Sequence, residues 1–275
     1  MQIIKILIYC LWIGGDLMNL KQNRLYEEKI SNQGCLMKIV ECGDRTNITV
    51  EFQDEHKARV HTQYANFQKG SVKNPYHPSI CGVGIIGEKY PVSTNCITAK
   101  EYDAWRRMIV RCVNEWYKEN RPAYKFVTIC DEWLNYEKYY EWIHSQENFE
   151  QWYNGKRWAI DKDILNKGNK IYSPENCCLI PQNVNCLFLK REAERGKYPI
   201  GVRYTENGFL ATCRNPFLDK AVELGYYSIP EKAFEAYKKY KEDIIKLVAK
   251  EEYSKGNITK QCYEAMMNYE VEITD

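Results

Sequence analysis

The sequence predicts an α+β fold: a small β-meander near the amino end, a strand–strand–helix (ββα) middle domain accompanied by helices, and a three-stranded sheet plus helix at the carboxy end. Three observations predict it. Apolar residues alternate with period two between Leu36 and Thr62. They recur at helical spacing between Tyr102 and Ile143. From Tyr198 to Tyr237, short alternating runs broken by glycines lead into a helical stripe. The expected domains are 18–88, 89–196 and 197–275.

Composition narrows the function classes. The chain has 275 residues, 44% hydrophobic and 28% charged, which excludes a multi-span membrane protein, a collagen-like repeat and a wholly disordered chain. Lys+Arg 39 against Asp+Glu 37 gives a net charge of +2, so the total selects no partner. The distribution is more informative. Residues 151–203 hold ten Lys/Arg and five Asp/Glu, making that stretch +5 and the remainder −3. A basic band of this kind attracts phosphates. The twelve cysteines are scattered, with no C-x-x-C spacing, and read as reduced cytoplasmic thiols filling core space. No membrane partner and no small-molecule cofactor is expected.

Residues 1–17 are expected to be a leader outside the fold. The run 3–13 is apolar but too short to span a bilayer as a helix. Gly14-Gly15-Asp16 is encodable as a ribosome-binding sequence ahead of Met18, so translation is expected to start at Met18.

The elements follow in order. Residues 38–42, 48–52 and 58–62 read as three strands, with turns at Gly43-Asp44 and 53–55. Residues 82–87 match G-x-G-x-x-G, but Pro91 stands where a dinucleotide-binding fold needs a helix, so the segment reads as a glycine-rich linker. Tyr102, Trp105, Met108, Ile109, Cys112, Val113 and Trp116 make one helical stripe, with Thr98 as its cap. Asp131 or Asn135 opens a second helix carrying Trp133, Tyr136, Tyr139, Tyr140 and Ile143. Both aromatic stripes read as core.

Residues 158–190 then give a strand ending in acids, a polar Gly-Asn loop, a Ser-Pro-Glu-Asn turn, a short apolar strand and a helix opened by Pro181 and closed by Gly196. Asp161 at a strand end and Asn183 or Asn185 on the helix offer hard oxygen ligands of the kind Mg²⁺ takes. This layout resembles the ββα-metal core of phage-type HNH homing endonucleases. The helices carrying Trp105, Met108 and Cys112, and then Trp133 to Trp142, are similar to those of such proteins too. The resemblance implies Asp161 as the metal acid, Asn176 as the Asn bracing the loop and Asn185 or Asn183 as the helical ligand. It also implies hydrolysis or nicking of DNA phosphodiesters with Mg²⁺ or another divalent cation. The family's catalytic His is replaced by Lys162. A lysine costs about 4–5 kcal/mol to deprotonate at pH 7, so Lys162 suits a charge stabiliser or phosphate contact better than a base. An active nuclease and a degenerate nuclease fold used for binding both remain open.

At the carboxy end, residues 198–204, 208–214 and 224–227 read as three strands, with Asn207-Gly208 as a hairpin turn. A helix from Pro230 carries Phe234, Tyr237, Tyr240, Ile244, Leu247 and Val248, and a shorter one is expected over 258–269. Gly201-Val202-Arg203, Leu224-Gly225-Tyr226 and the helix beginning Pro230-Glu231 resemble the plant ethylene-response-factor (apetala-type) DNA-binding domain. That resemblance implies an exposed sheet face in the major groove of double-stranded DNA. Arg203, Tyr204 and Arg214 would be the reading residues, and Lys197, Lys190 and Arg191 would stand near phosphates. The expectation is a cytoplasmic DNA-binding protein resembling an HNH homing endonuclease. A non-catalytic DNA-binding regulator and a protein-interaction factor are the alternatives.

Overall fold

The computed structural model describes residues 24–44, 47–189 and 197–273. The apolar leader, Lys190, Arg191 and Gly196 lie outside them. The chain is mixed α and β and divides into two compact units, Met1–Val110 with Leu134–Tyr139, and Arg111–Trp133 with Tyr140–Asp275.

In the first unit, β1 (Glu28–Ile30), β2 (Leu36–Asp44), β3 (Asn47–Phe52) and β4 (Arg59–Thr62) form an antiparallel meander in chain order. The period-two pattern explains why. Met37 pairs with Phe52 and Ile39 with Val50, so these four share one face, and all are fully buried. The short helix α1 (Tyr64–Gln68) delivers Phe67 to the same core. On the opposite face the Thr49 hydroxyl donates to the Glu41 carboxylate at 2.6 Å and meets His61 Nδ1 at 3.0 Å.

A small hairpin of β5 (Ser93–Thr94) and β6 (Ile97–Thr98) precedes α2 (Lys100–Val113). Thr98 belongs to β6, and the first helical turn closes instead on the Ala99 carbonyl, which accepts from the Asp103 N–H. The 82–87 segment is packed chain and not a free linker. A Cβ on Gly84 would come within 2.7 Å of Ile109 Cδ1, and Gly87 sits at φ +78 against Glu137. The Glu137 carboxylate accepts the N–H groups of Glu88 and Lys89 at 2.8 and 2.9 Å.

The expected stripe from Tyr102 to Trp116 is split. Trp105, Met108 and Ile109 are buried, but α2 ends at Val113 and Trp116 is 64% exposed. Asn114 is the cause. Its extended backbone (φ −73, ψ 118) lets its side chain accept the Tyr117 N–H and open a separate helix, α3 (Glu115–Asn120). Asn114→Ala is expected to cost about 1 kcal/mol, read as a shifted denaturation midpoint.

In the second unit, β7 (Thr128–Ile129) pairs in parallel with β9 (Ile171–Tyr172), and β8 (Trp158–Asp161) pairs antiparallel with β10 (Cys178–Pro181). Helix α4 (Tyr136–His144) is divided between the two units, and α5 (Phe149–Asn154) and α6 (Gln182–Leu187) belong to this one. Helix α6 ends at Leu187, the last buried residue of its stripe, short of the expected end at Gly196. The sheet β11 (Val202–Thr205), β12 (Gly208–Asn215) and β13 (Lys220–Tyr227) is antiparallel in chain order. Thr205 pairs with Gly208, so the two loop residues are Glu206 and Asn207. Gly208 carries the positive φ (+106) as the first ladder residue, one position later than the sequence suggests.

Helix α7 (Pro230–Ser254) opens with Pro230 in its first turn, and α8 (Lys260–Met267) is capped by Thr259. Ile164, Cys178, Ile180, Val184 and Leu187 share one buried cluster with Cys213, Phe234, Tyr237, Ile245 and Val248. The β8–β10–α6 element and the carboxy-terminal sheet and helix therefore stand on a common core. Among the described residues five cysteines (112, 177, 178, 213 and 262) are buried, and burial pushes the Cys112 thiol up to about 12. Among the described residues no helix is long and apolar enough to cross a membrane.

Candidate functional site

The three-stranded sheet divides its side chains by register. Arg203 lies opposite Leu210 and Leu210 opposite Tyr226, so these three share one face. Thr212 and Arg214 follow on that face by alternation along β12. Val202, Ala211 and Cys213 take the other face, toward α7, where the Asn215 amide donates to the Tyr240 hydroxyl at 2.8 Å. A bulge after Ala211 resets β13, bringing Glu223 opposite Thr212.

Arg203 and Arg214 thus stand together on the face turned from α7, with side chains 64% and 70% exposed. Each already meets an acid. Arg203 Nη2 is 3.6 Å from Glu223, and Arg214 pairs with Asp219. Such exposed pairs are worth about 0–1 kcal/mol and yield readily to a phosphate or base edge. Tyr204 is not on this face. It alternates to the other side and packs its ring on Phe209, itself in contact with Tyr198, each at 5.2 Å. Lys197 joins that cluster, with its ammonium 5.3 Å from the Tyr198 ring centre.

The acidic end of β8 is a tightly braced loop. Asp161 is 9% exposed, and its Oδ1 accepts the N–H groups of Asp163 and Ile164 at 2.9 and 2.8 Å. Burial, and then the charge of Asp163, push the Asp161 carboxyl up to about 6. Lys162 is equally buried; its ammonium lies 3.3 Å from Asp163 and 5.9 Å from the Tyr172 ring centre. Asn176 donates to the Ser173 hydroxyl at 2.9 Å and accepts from Asn166 at 2.7 Å. A second bracing residue escaped the sequence reading. The Asn169 amide donates to the Lys162 carbonyl at 2.6 Å and to the Ile171 carbonyl at 2.8 Å, closing the loop. Its sequence signal was only the Gly168-Asn169 turn pair.

The residues of the implied metal set, Asp161 with Asn183 or Asn185, spend part of their hydrogen-bonding capacity on the protein. Asp161 Oδ1 is committed to two backbone donors, and Asn183 donates toward Glu252 on α7 at 3.4 Å. Asn185 is half-buried, and its backbone carbonyl accepts the Phe188 N–H. Among the described residues no group of three or more His, Cys, Asp or Glu gathers to hold a metal. Compared with protein-family models, curated proteins and solved structures, the chain matches none.

Proposed function

We propose that this chain binds double-stranded DNA through the β11–β13 sheet, presenting Arg203 and Arg214 to base edges in the major groove. The carrying observation is that both guanidinium groups stand on the one sheet face turned from α7, held only by exposed ion pairs. A ribbon of this width fits the groove, and arginine donates two parallel hydrogen bonds to guanine. Lys197, at the entry to the sheet, contributes a phosphate contact. The two asparagines and the aspartate of the ββα element serve this reading as loop braces that fix the basic surface, and no hydrolytic step is assigned to them.

The test is duplex binding by fluorescence anisotropy across a salt series. Wild-type affinity is expected to fall steeply with salt. Arg203→Ala and Arg214→Ala are each expected to weaken binding about tenfold, whereas Lys197→Ala reduces the salt slope by about one. Affinity that is absent at low salt, or unchanged in the double arginine variant, overturns the reading. A plasmid nicked with Mg²⁺ by wild type but not by Asp161→Ala would establish hydrolysis in addition to binding.

A further inference from the structure

The segment 111–129 carries four cations (Arg111, Lys118, Arg121 and Lys125) against two acids, and four aromatics (Trp116, Tyr117, Tyr124 and Phe126). The fold gives these rings an unusual placement. Trp116 is 64% exposed and Phe126 72% exposed, the largest apolar side chains so presented in this unit. Trp116 meets Tyr117 at 6.5 Å between ring centres, and Tyr117 meets Tyr124 at 5.4 Å, so a run of rings leads inward from an open end.

The cations interleave with the rings. The Arg111 guanidinium lies 5.8 Å from the Tyr124 ring centre and is hydrogen-bonded to Tyr172. Lys125 stands 5.5 Å from the Phe126 ring centre. Among the described residues none of Arg111, Lys118, Arg121 and Lys125 makes an ion pair with a carboxylate, in contrast to Arg203 and Arg214. Tyr172 links this segment to the braced loop, because Lys162 stands over the same ring that Arg111 bonds. β7, which ends the segment, is paired with the strand carrying Tyr172.

We infer that this segment is a binding ledge for unpaired nucleotides of single-stranded DNA. Bases would stack on Trp116 and Phe126, and phosphates would meet Lys118, Arg121 and Lys125, with Arg111 holding Tyr124 and Tyr172 behind them. Exposed rings interleaved with uncompensated cations suit a base-and-phosphate chain, since every base offers a face to stack on. An apolar protein partner would instead leave the charges of Lys118, Arg121 and Lys125 unsatisfied when covered. The ledge does not depend on the sheet reading, since it uses none of its residues.

The test measures anisotropy of a labelled single-stranded oligonucleotide with the full chain, beside an abasic strand of equal length. Wild type is expected to bind the normal strand about tenfold more tightly than the abasic one. Trp116→Ala and Phe126→Ala are each expected to weaken binding about tenfold, and Trp116→Phe to restore most of it. Both side chains are exposed, so the alanine variants should keep the wild-type melting profile. The double Arg203→Ala, Arg214→Ala variant is expected to retain single-strand affinity while losing duplex affinity. Three results would each overturn the ledge: no single-strand binding by wild type, equal affinity for the abasic strand, or loss of binding only in the sheet variant.

Discussion

Gly201→Val is expected to destabilise the second unit by about 2–5 kcal/mol, with duplex binding lost in step. Two independent costs add at this position. Gly201 sits at φ +77, where a side chain costs about 1–2 kcal/mol. A Cβ there would also be driven into the Tyr237 ring, overpacking that costs about 1–3 kcal/mol. Tyr237 is 6% exposed and belongs to the cluster that joins α7 to β12, so the ring has little room to give. The Gly201 carbonyl also accepts the Thr212 N–H at 2.8 Å, so a shift in the chain is passed to the strand carrying Arg214. Gly168→Ala is the control. It has a similar φ of +82 but open space around its Cβ, so it should show the backbone cost alone. Denaturant unfolding of the two variants beside Gly201→Ala separates strain from packing. Equal losses in Gly201→Ala and Gly168→Ala would remove Tyr237 from the account.

Sequence periodicity was a good guide wherever one side of an element is buried. Strands β2–β4 of the meander were legible because Met37, Ile39, Val50 and Phe52 alternate onto one buried face, whereas the exposed β1 carried no such pattern. The carboxy-terminal sheet was legible for the same reason, with Gly208 marking its first turn while Gly225 falls inside β13 beside the bulge. What misled was local chemistry that interrupts a pattern. Asn114 ends one helix and starts another inside an apolar run, so Trp116 looked like core and is surface. Likewise, the apolar stripe after Pro181 did not reveal that the helix ends at Leu187.

The candidate site was less legible, because hydrogen-bond commitments leave no periodic trace. Asn176 is tied to the loop after Asp161 through Asn166, and nothing in the spacing says that Asp161 spends an oxygen on its own turn. Nor does it say that Asn183 is directed to a glutamate 69 residues away. The alternation of β11 was readable in principle, and it separates Tyr204 from Arg203. Grouping them by chain order concealed that.

The carboxyl of Asp161 is expected to make stability depend on pH, and Asp161→Asn to remove that dependence. Burial and the neighbouring Asp163 raise its folded pKa to about 6 from an ordinary 3.8. Between those values the folded chain keeps a proton that the unfolded chain has released. Stability from this group is therefore full below pH 3.8, declines as pH rises, and is lost above about 6. Its size is about 2–3 kcal/mol at most. An asparagine keeps the oxygen that accepts the Asp163 and Ile164 N–H groups and carries no charge to desolvate. The variant should thus match wild type near pH 4 and exceed it near pH 8. Asp161→Ala leaves those two donors without their acceptor and should fall below wild type throughout. Denaturation midpoints measured from pH 4 to pH 8 decide the matter. A wild-type slope that persists unchanged in Asp161→Asn would place the titrating group elsewhere and leave Asp161 charged in the folded protein, as a metal-binding carboxylate would have to be.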